Sequence, residues 1–329
     1  MLESMTKIIG DEMKQDKRQH NFSEIIANSP KMIALINKAK KFALLDAPLL
    51  IQGETGTGKE LLAKICHHIS PRATQKFIAV NCAGLPQKEA ESEMFGSALA
   101  DKQSTGFFEY AHNGTVLLDN VAELPLELQA KLLRFLNDGS FRRVGEEQEH
   151  HADVRVICTS QIPLQYYVEQ GKMRSDLFHR LNVLALTIPP LRERKEDVPA
   201  LLDLFIQQIC QQLEIEPPRY DQAFLQYLIN YPWAGNVREL YNALYRACTL
   251  AENQQLSIAG LSLLENDIQS MDIEQFGEET LEQIMGNFEA AILRKFYEKY
   301  PSTRKLANRL GISHTAVANK LRQYHITKP

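Results

Sequence analysis

The stretch GETGTGKE, residues 53–60, has the composition of a loop that binds phosphate groups, between the strand-like run PLLIQ and the helical pattern ELLAKICHHI. Glycines let the backbone wrap closely around phosphates, and Lys59 adds a mobile positive charge at the start of the helix. The pattern predicts an ATP site, although Glu60 stands where such loops usually carry the Ser or Thr that binds Mg²⁺. The predicted ATP-binding residues are Gly53, Glu54, Thr55, Gly56, Thr57, Gly58, Lys59 and Glu60.

An acid, Asp119, ends the apolar run GTVLLD about sixty residues after that loop. A carboxylate at a strand end beside a phosphate loop is the expected ligand of Mg²⁺. The next residue, Asn120, carries an amide, which is a poor proton acceptor and therefore a poor base for activating water. The pair predicts ATP binding with weak or absent hydrolysis. Glu123 is the alternative base, although we expect it to be an ordinary surface acid.

Further polar side chains follow the next strand-like run, DVRVICTS. Ser160 and Gln161 lie at its end, where they are candidates for contact with a γ-phosphate. Arg174 and Arg180, in KMRSDLFHRL, are candidate arginine fingers that reach the nucleotide of a neighbouring subunit. Their spacing fits surface arginines on a helix equally well.

The C-terminal run STRKLANRLGISHTAVANKLRQYHI, residues 302–326, has the spacing of a helix-turn-helix. Small residues at Ala307 and Val317 let two helices cross closely, and Gly311 permits the turn between them. The second helix would enter the major groove of DNA. A basic helical hairpin without DNA is the alternative. The predicted DNA-binding residues are Arg304, Lys305, Arg309, Ser313, His314, Thr315, Asn319, Lys320 and Arg322.

Five strand-like runs must position the nucleotide-binding residues, and each is separated from the next by enough chain for a crossover helix, which indicates a parallel α/β sheet. The runs are APLLIQG, KFIAVNC, GTVLLDN, DVRVICTS and LNVLALTIP. After residue 195 the pattern becomes helical. We predict an N-terminal tail over 1–23, an α/β nucleotide-binding subdomain over 24–194, a helical lid over 195–260, an acidic linker over 261–279 and an all-α helix-turn-helix domain over 280–329.

Charge is distributed unevenly along the 329 residues, whose net charge is −4. The last 36 residues contain nine Lys and Arg against one acid, a local balance of +8, so the remaining 293 residues carry −12. The basic end favours contact with nucleic acid. No apolar run approaches the ~20 residues of a membrane helix and no secretory signal is evident, so we expect a cytoplasmic protein without a membrane partner. Five scattered cysteines predict buried free thiols.

Several motifs together resemble the AAA+ domain of bacterial enhancer-binding transcription activators: GETGTGKE, FIAVNCAGLP, EMFG, GFFEYAHNGTVLLDN, LQAKLLRFLNDGSFRRVG, MRSDLFHRLNVL, IPPLRER and WAGNVREL. The resemblance covers residues 24–260 and implies an AAA+ P-loop fold with a helical lid that binds ATP and Mg²⁺. It implies Ser160 and Gln161 as a first sensor, Arg238 as a second sensor and the two arginine fingers. Asn81 would restrain the catalytic glutamate, whose place Asn120 takes.

The sequence departs from that family between EMFG and GFFE, where the sigma-contact signature GAFTGA is replaced by SALADKQST. A protein without that signature and without the catalytic acid is not expected to drive the alternative-sigma polymerase. The C-terminal segment resembles the Fis-type domain of the same activators, in particular the branch that regulates genes of aromatic amino acid biosynthesis and transport. That branch implies tyrosine as an ATP-dependent effector, housekeeping RNA polymerase as a partner, and dimers that assemble into hexamers.

The apolar positions Leu281, Ile284, Phe288, Ile292 and Phe296 recur at helical spacing before the helix-turn-helix. By the same resemblance, this helix over 281–299 pairs with its symmetry mate, so that two recognition helices read a palindromic operator in double-stranded DNA.

We therefore predict a DNA-binding transcription regulator, mainly a repressor, in which ATP and tyrosine control oligomerisation. The alternative is an ATP-hydrolysing AAA+ activator that remodels polymerase and uses Glu123 or another acid as its base. A third hypothesis, a phosphatase or other hydrolase without DNA, leaves the C-terminal motif unexplained.

Overall fold

The computed structural model of the chain describes residues 22–86, 89–101, 103–251 and 254–261, and part of 280–326 that includes 302–311 and 313–324. The chain divides into two compact units, Met1–Ser262 and Leu263–Pro329, which we describe separately. The predicted tail up to residue 21 and the predicted linker from residue 262 lie outside the described residues.

The first unit is built on a parallel sheet. Its strands are β1 (Leu49–Gln52), β2 (Phe77–Asn81), β3 (Thr115–Asp119), β6 (Arg155–Ser160) and β7 (Leu184–Thr187). In the chain between β3 and β6, two short strands, β4 (Ser140–Phe141) and β5 (His150–His151), form a separate antiparallel pair. The parallel strands lie in the order β2–β3–β6–β1–β7. Each of the five predicted runs is a strand, and the predicted α/β fold is confirmed. The short pair β4–β5 was not predicted, because two residues give no periodicity.

Alternate residues of the strands enter two different cores, as expected for side chains that point to opposite faces of a sheet. Leu117 and Ile157 pack in one core and Leu118 and Cys158 in the other. Because both faces are covered, the middle residues of the inner strands are mostly apolar, and their polar residues lie mainly at the strand ends. The helices outside the lid are α1 (Pro30–Ala43), α2 (Lys59–His68), α3 (Ala90–Phe95), α4 (Phe107–Tyr110), α5 (Leu126–Asp138), α6 (Leu164–Glu169) and α7 (Ser175–Leu181).

The lid consists of α8 (Val198–Leu213), α9 (Gln222–Asn230) and α10 (Asn236–Thr249). Its beginning is fixed to the start of α1 by the buried carboxylate of Asp197, which accepts the backbone N–H groups of Asn28 at 2.6 Å and Ser29 at 2.7 Å. Inside the lid, the indole N–H of the buried Trp233 donates to the Leu228 carbonyl at 2.7 Å. These bonds satisfy polar groups that would otherwise be costly to bury.

Where the second unit is described over 302–311 and 313–324, two helices follow one another, α11 (Thr303–Leu310) and α12 (His314–Gln323). Gly311 ends α11 in the left-handed region at φ 68°, which glycine adopts without the penalty of a Cβ atom. The buried side chains that join the helices are Tyr297, Leu306, Ala307, Val317 and Leu321.

The helix predicted over 281–299 is described only in part. Gln283, Gly286, Glu289, Ala290, Leu293, Arg294, Phe296 and Tyr297 are helical. Of the five apolar positions that predicted this helix, Phe296 is described and half-buried, and the other four lie outside the described residues. Within the described part of the chain, no helix is both long enough and apolar enough to span a bilayer.

Candidate functional site: a phosphate loop joined to the lid, and a separate basic helix pair

The phosphate loop connects β1 to α2 and brings Lys59 to the first position of that helix. The Lys59 side chain is nearly buried, and its Nζ donates to the carbonyls of Gly53 at 2.7 Å and Glu54 at 3.0 Å. Burial lowers the pKa of Lys59, while the charge of Asp119 raises it and that of Arg238 lowers it. The first N–H groups of α2 lack acceptors within the helix, so the loop and Lys59 present positive ends to an anion.

Two other loop residues, Thr57 and Glu60, bond to neighbouring groups of the protein. The Thr57 hydroxyl is buried and donates to the Glu54 carbonyl at 2.8 Å. Glu60 is exposed and pairs with Lys64 one turn along α2, with 3.1 Å between the charged atoms. The position that usually carries a metal-binding hydroxyl is therefore a solvent-facing carboxylate.

Asp119 ends β3 and is held by two neighbouring side chains. The buried Thr159 hydroxyl donates to Asp119 Oδ1 and accepts the backbone N–H of Asn120 at 3.0 Å. The Asn120 amide donates to Asp119 Oδ2 at 3.2 Å. Asn120 has φ 56°, in the left-handed region that asparagine tolerates better than most residues. Asp119, Asn120 and Thr159 thus form one hydrogen-bonded group where β3 ends.

Asn81 lies beside Asp119 in the register of β2 and β3, and its side chain accepts the backbone N–H of Ala83 at 3.1 Å. Gln161 joins this group because its amide donates to Asn120 Oδ1 at 3.4 Å. Ser160 does not, because its buried hydroxyl donates to the Ile162 carbonyl at 2.6 Å. Thr159, which touches Asp119 directly, was not predicted, although a buried polar residue in an apolar strand could have signalled it.

The lid contacts the loop through the N-terminus of α10. Asn236 is buried at φ 56°, donates from Nδ2 to Glu54 Oε2 at 3.1 Å and to the Thr55 carbonyl at 3.0 Å, and accepts the Leu191 N–H at 2.8 Å. The carbonyl of Gly56 accepts the N–H of Val237 at 3.0 Å. A Cβ atom on Gly56 would lie 2.2 Å from the carbonyl oxygen of Gly235, so only glycine allows this approach.

Arginines between sheet and lid complete the connection. Arg192 makes two bonds to the Glu54 carboxylate, at 2.5 and 2.7 Å, and these bonds together with Asn236 lower the pKa of Glu54 despite partial burial. The buried Arg194 donates to the Thr57 carbonyl at 3.0 Å. Arg238 is exposed on α10, and its Cβ lies 3.1 Å from the point where a Cβ added to Gly56 would lie. Asn236, Arg192 and Arg194 were not predicted.

The two predicted arginine fingers lie on the surface around α7. Arg174 pairs with Asp176 at 2.7 Å, and Arg180 donates from Nη2 to the Leu136 carbonyl at 2.7 Å. Both are exposed. Among the described residues, no hydrogen bond or ion pair joins either of them to the phosphate loop of their own chain.

In the second unit, the Ser313 hydroxyl caps α12 by accepting the N–H of Ala316 at 3.1 Å. His314 bonds the Thr303 hydroxyl at 2.6 Å, and Lys320 forms an ion pair with Glu289. The guanidinium of Arg309 lies 5.7 Å from the centre of the Phe296 ring. The remaining predicted DNA-binding residues are exposed on α11 or α12: Arg304, Lys305, Thr315, Asn319 and Arg322.

The chain matches known families over nearly its whole described length. Residues 25–187 match the Sigma-54 interaction domain, residues 192–276 the AAA+ ATPase lid domain, and residues 278–327 a helix-turn-helix domain. The chain is similar to the solved structure of NtrX from Brucella abortus in complex with ATP, with a TM-score of 0.70 and 30% identity, covering 98% of this chain and 73% of that one. An ADP complex of the same protein matches equally well.

Curated relatives agree with this architecture. The HTH-type transcriptional regulatory protein TyrR of Haemophilus influenzae is 59% identical over 94% of this chain and 98% of its own length. The TyrR proteins of Enterobacter agglomerans and Salmonella typhimurium are 50% and 48% identical over 92% and 93% of this chain. The chain spans 59% and 60% of the length of those two relatives. The chain therefore belongs to the TyrR family of helix-turn-helix transcriptional regulators, and its AAA+ unit is a nucleotide-binding domain.

Proposed function

We propose that the protein is a transcription repressor that uses ATP as a ligand controlling its assembly, with little or no hydrolysis. The observation that carries this proposal is the Asn120 side chain, whose Nδ2 donates to Asp119 and whose Oδ1 accepts from Gln161. A base for water must accept a proton, and an amide accepts one poorly.

The residues around the loop fit a nucleotide with its metal. Lys59 and the first N–H groups of α2 would hold phosphate oxygens, and Arg238 would reach them from the lid. Asp119 would hold Mg²⁺ together with the phosphates, since no hydroxyl follows Lys59. The bound ion would supply positive charge that offsets the phosphate oxygens.

The test is to measure ATP affinity and steady-state hydrolysis for the parent and for Asn120→Glu, with Asn120→Gln as a control of equal length but no charge. The proposal is supported if the parent binds ATP tightly with negligible turnover, and if the turnover rate rises in Asn120→Glu but not in Asn120→Gln. Asn120→Asp is a second acid that tolerates the left-handed backbone better than glutamate does. Brisk turnover in the parent contradicts the proposal.

The competing function is an ATP-hydrolysing activator with Glu123 as its base. Glu123 is exposed and belongs to the turn that follows Asn120. If Glu123→Gln abolishes turnover present in the parent, this alternative is the correct one.

The shortened segment between EMFG and GFFE also supports a role without remodelling. Ser97 and Ser104 exchange backbone hydrogen bonds at 2.9 and 3.0 Å, and the Ala98 N–H donates to the Val144 carbonyl at 2.9 Å. The segment is thus closed on itself and fixed to the chain that follows β4. We infer that it does not extend towards an alternative sigma factor, and that polymerase contact, if made, is with the housekeeping enzyme.

We further propose tyrosine as the effector and aromatic amino acid genes as the targets, on the strength of the TyrR relatives. Dimers would bind a palindromic operator, and ATP with tyrosine would drive hexamers in which Arg174 and Arg180 reach a neighbour's nucleotide. Sedimentation with ATP, with tyrosine and with both tests this. Arg174→Ala and Arg180→Ala should block the larger assembly, whereas Arg219→Ala, at another exposed arginine, should not.

A further inference from the structure

One side of the recognition helix α12 is exposed, whereas Lys320, on the flank next to it, is paired with another residue. Thr315, Asn319 and Arg322 are exposed and recur at positions i, i+4 and i+7, so they share one side of the helix. Val317 and Leu321 are buried on the other side. Lys320 follows Asn319 and is therefore rotated about 100° away from it around the helix axis.

Glu289, on the preceding helical segment, occupies the flank of α12 where Lys320 lies. Its Oε1 accepts the Lys320 ammonium, and its Oε2 accepts the Tyr324 hydroxyl at 2.6 Å. Lys320 and Tyr324 are four residues apart, so a single carboxylate spans one turn at the end of α12. The Tyr324 hydroxyl also lies 3.8 Å from the point where a Cβ added to Gly286 would lie. The Tyr324 ring therefore packs against the same helical segment.

These two bonds favour the charged form of the carboxylate. The hydrogen bond from Lys320, and then that from Tyr324, lower the pKa of Glu289, and Glu289 in turn raises the pKa of the Tyr324 hydroxyl. Both contacts to Glu289 are therefore hydrogen bonds to an ionised acceptor at neutral pH, and such bonds are shorter and stronger than neutral ones.

Sequence-independent attraction to DNA grows with the number of phosphates that a protein neutralises. A lysine whose charge is already matched by a carboxylate adds little to that number. We propose that Glu289 is a positioning residue for DNA recognition, which fixes α12 through Lys320 and Tyr324 and keeps Lys320 away from the phosphate backbone. The inference rests on the proposed DNA-binding function. In it, the exposed residues Thr315, Asn319 and Arg322 distinguish one DNA sequence from another.

The experiment measures how the affinity of the full-length chain for a random-sequence duplex, about three helical turns long, depends on salt. The proteins are the parent, Glu289→Gln, Lys320→Met and the double variant. Lys320→Met alone should leave the salt slope unchanged. Glu289→Gln should raise affinity several-fold and steepen the slope of log K against log salt by about 0.9, the value for one additional phosphate. The double variant should return to the parent slope.

The double variant separates release of Lys320 from simple loss of a negative charge. If Glu289→Gln raises affinity equally with and without Lys320→Met, the effect is general repulsion and the proposal is wrong. It is also wrong if Lys320→Met alone flattens the slope by about 0.9, since Lys320 then contacts a phosphate in the parent. A parent that binds no duplex contradicts the proposed function itself.

Tyr324→Phe provides the control for loosening of the helix. It removes the bond between the Tyr324 hydroxyl and Glu289 but retains the ion pair with Lys320, so it should lower the melting temperature without steepening the salt slope. A slope as steep as that of Glu289→Gln would show that movement of α12, and not release of Lys320, changes DNA binding.

Discussion

The side-chain amide of Asn236, at the first position of the lid helix α10, donates to the carboxylate of Glu54 in the phosphate loop over 3.1 Å, across 182 positions of sequence. The same side chain bonds the Thr55 carbonyl and accepts the N–H of Leu191. One buried amide therefore joins the loop, the lid and the segment between them, so that the position of the lid depends on the conformation of the loop.

Removing this amide should both destabilise the protein and weaken nucleotide binding. Asn236→Ala leaves the Leu191 N–H without its acceptor, which costs about 1–3 kcal/mol in the free energy of unfolding. It also replaces asparagine, at φ 56°, by a residue that tolerates the left-handed region less well. Urea unfolding and ATP titration measure the two effects. Asn236→Gly relieves the backbone strain only, so it should be less destabilising than Asn236→Ala while binding ATP equally weakly. ATP affinity equal to that of the parent would show that the lid does not depend on Asn236.

The ion pair between Glu54 and Arg192 should make stability depend on pH. The pKa of Glu54 is lowered from its ordinary value of 4.5, so its charged form stabilises the folded state above that value, and the contribution is lost as pH falls through the lower, folded-state pKa. Urea unfolding of the parent and Glu54→Gln between about pH 7 and about pH 3 should show a difference that is largest near neutrality and shrinks below about pH 4.5. A difference that is independent of pH would mean that packing, and not charge, is responsible.

Thr159 should matter for the conformation of Asp119 and Asn120. Thr159→Val keeps the shape of the side chain but removes both the donor to Asp119 and the acceptor of the Asn120 N–H, at a cost of about 1–3 kcal/mol. We expect a lower free energy of unfolding and a smaller gain in ATP affinity on adding Mg²⁺, measured by calorimetry with and without the ion. Thr159→Ser keeps the hydroxyl and should retain the gain. A Thr159→Val protein with the full effect of Mg²⁺ would contradict this role.

Lys59 should separate nucleotide binding from DNA binding. Lys59→Ala removes the ammonium that would hold phosphate oxygens, so ATP binding should be abolished while dimeric, tyrosine-independent binding to DNA persists, because α11 and α12 belong to the other unit. Calorimetry with ATP and a gel-shift assay with operator DNA measure the two properties. Loss of all operator affinity in a folded Lys59→Ala protein would contradict this division of labour.

Much of the fold could be predicted because its signals are local. The five strands appeared as apolar runs of strand length between helical patterns, and the phosphate loop as glycines between a strand and a helix. Gly311 likewise indicated the turn between α11 and α12, because a glycine between two helical patterns is a local signal. The pair β4–β5 left no such signal, because two residues in each strand are too few to show a period.

The sequence by itself determined the order of the elements, the nucleotide loop and the departure at Asn120, since each depends on residues that are neighbours in the chain. Only the tertiary structure decided which side chains meet across long separations. Thr159 reaches Asp119 over 40 positions and Glu289 reaches Lys320 over 31, and no periodicity encodes such pairs. The physical reason is that a hydrogen bond or ion pair forms within about 3 Å, a distance set by how strands and helices pack and not by their own sequences.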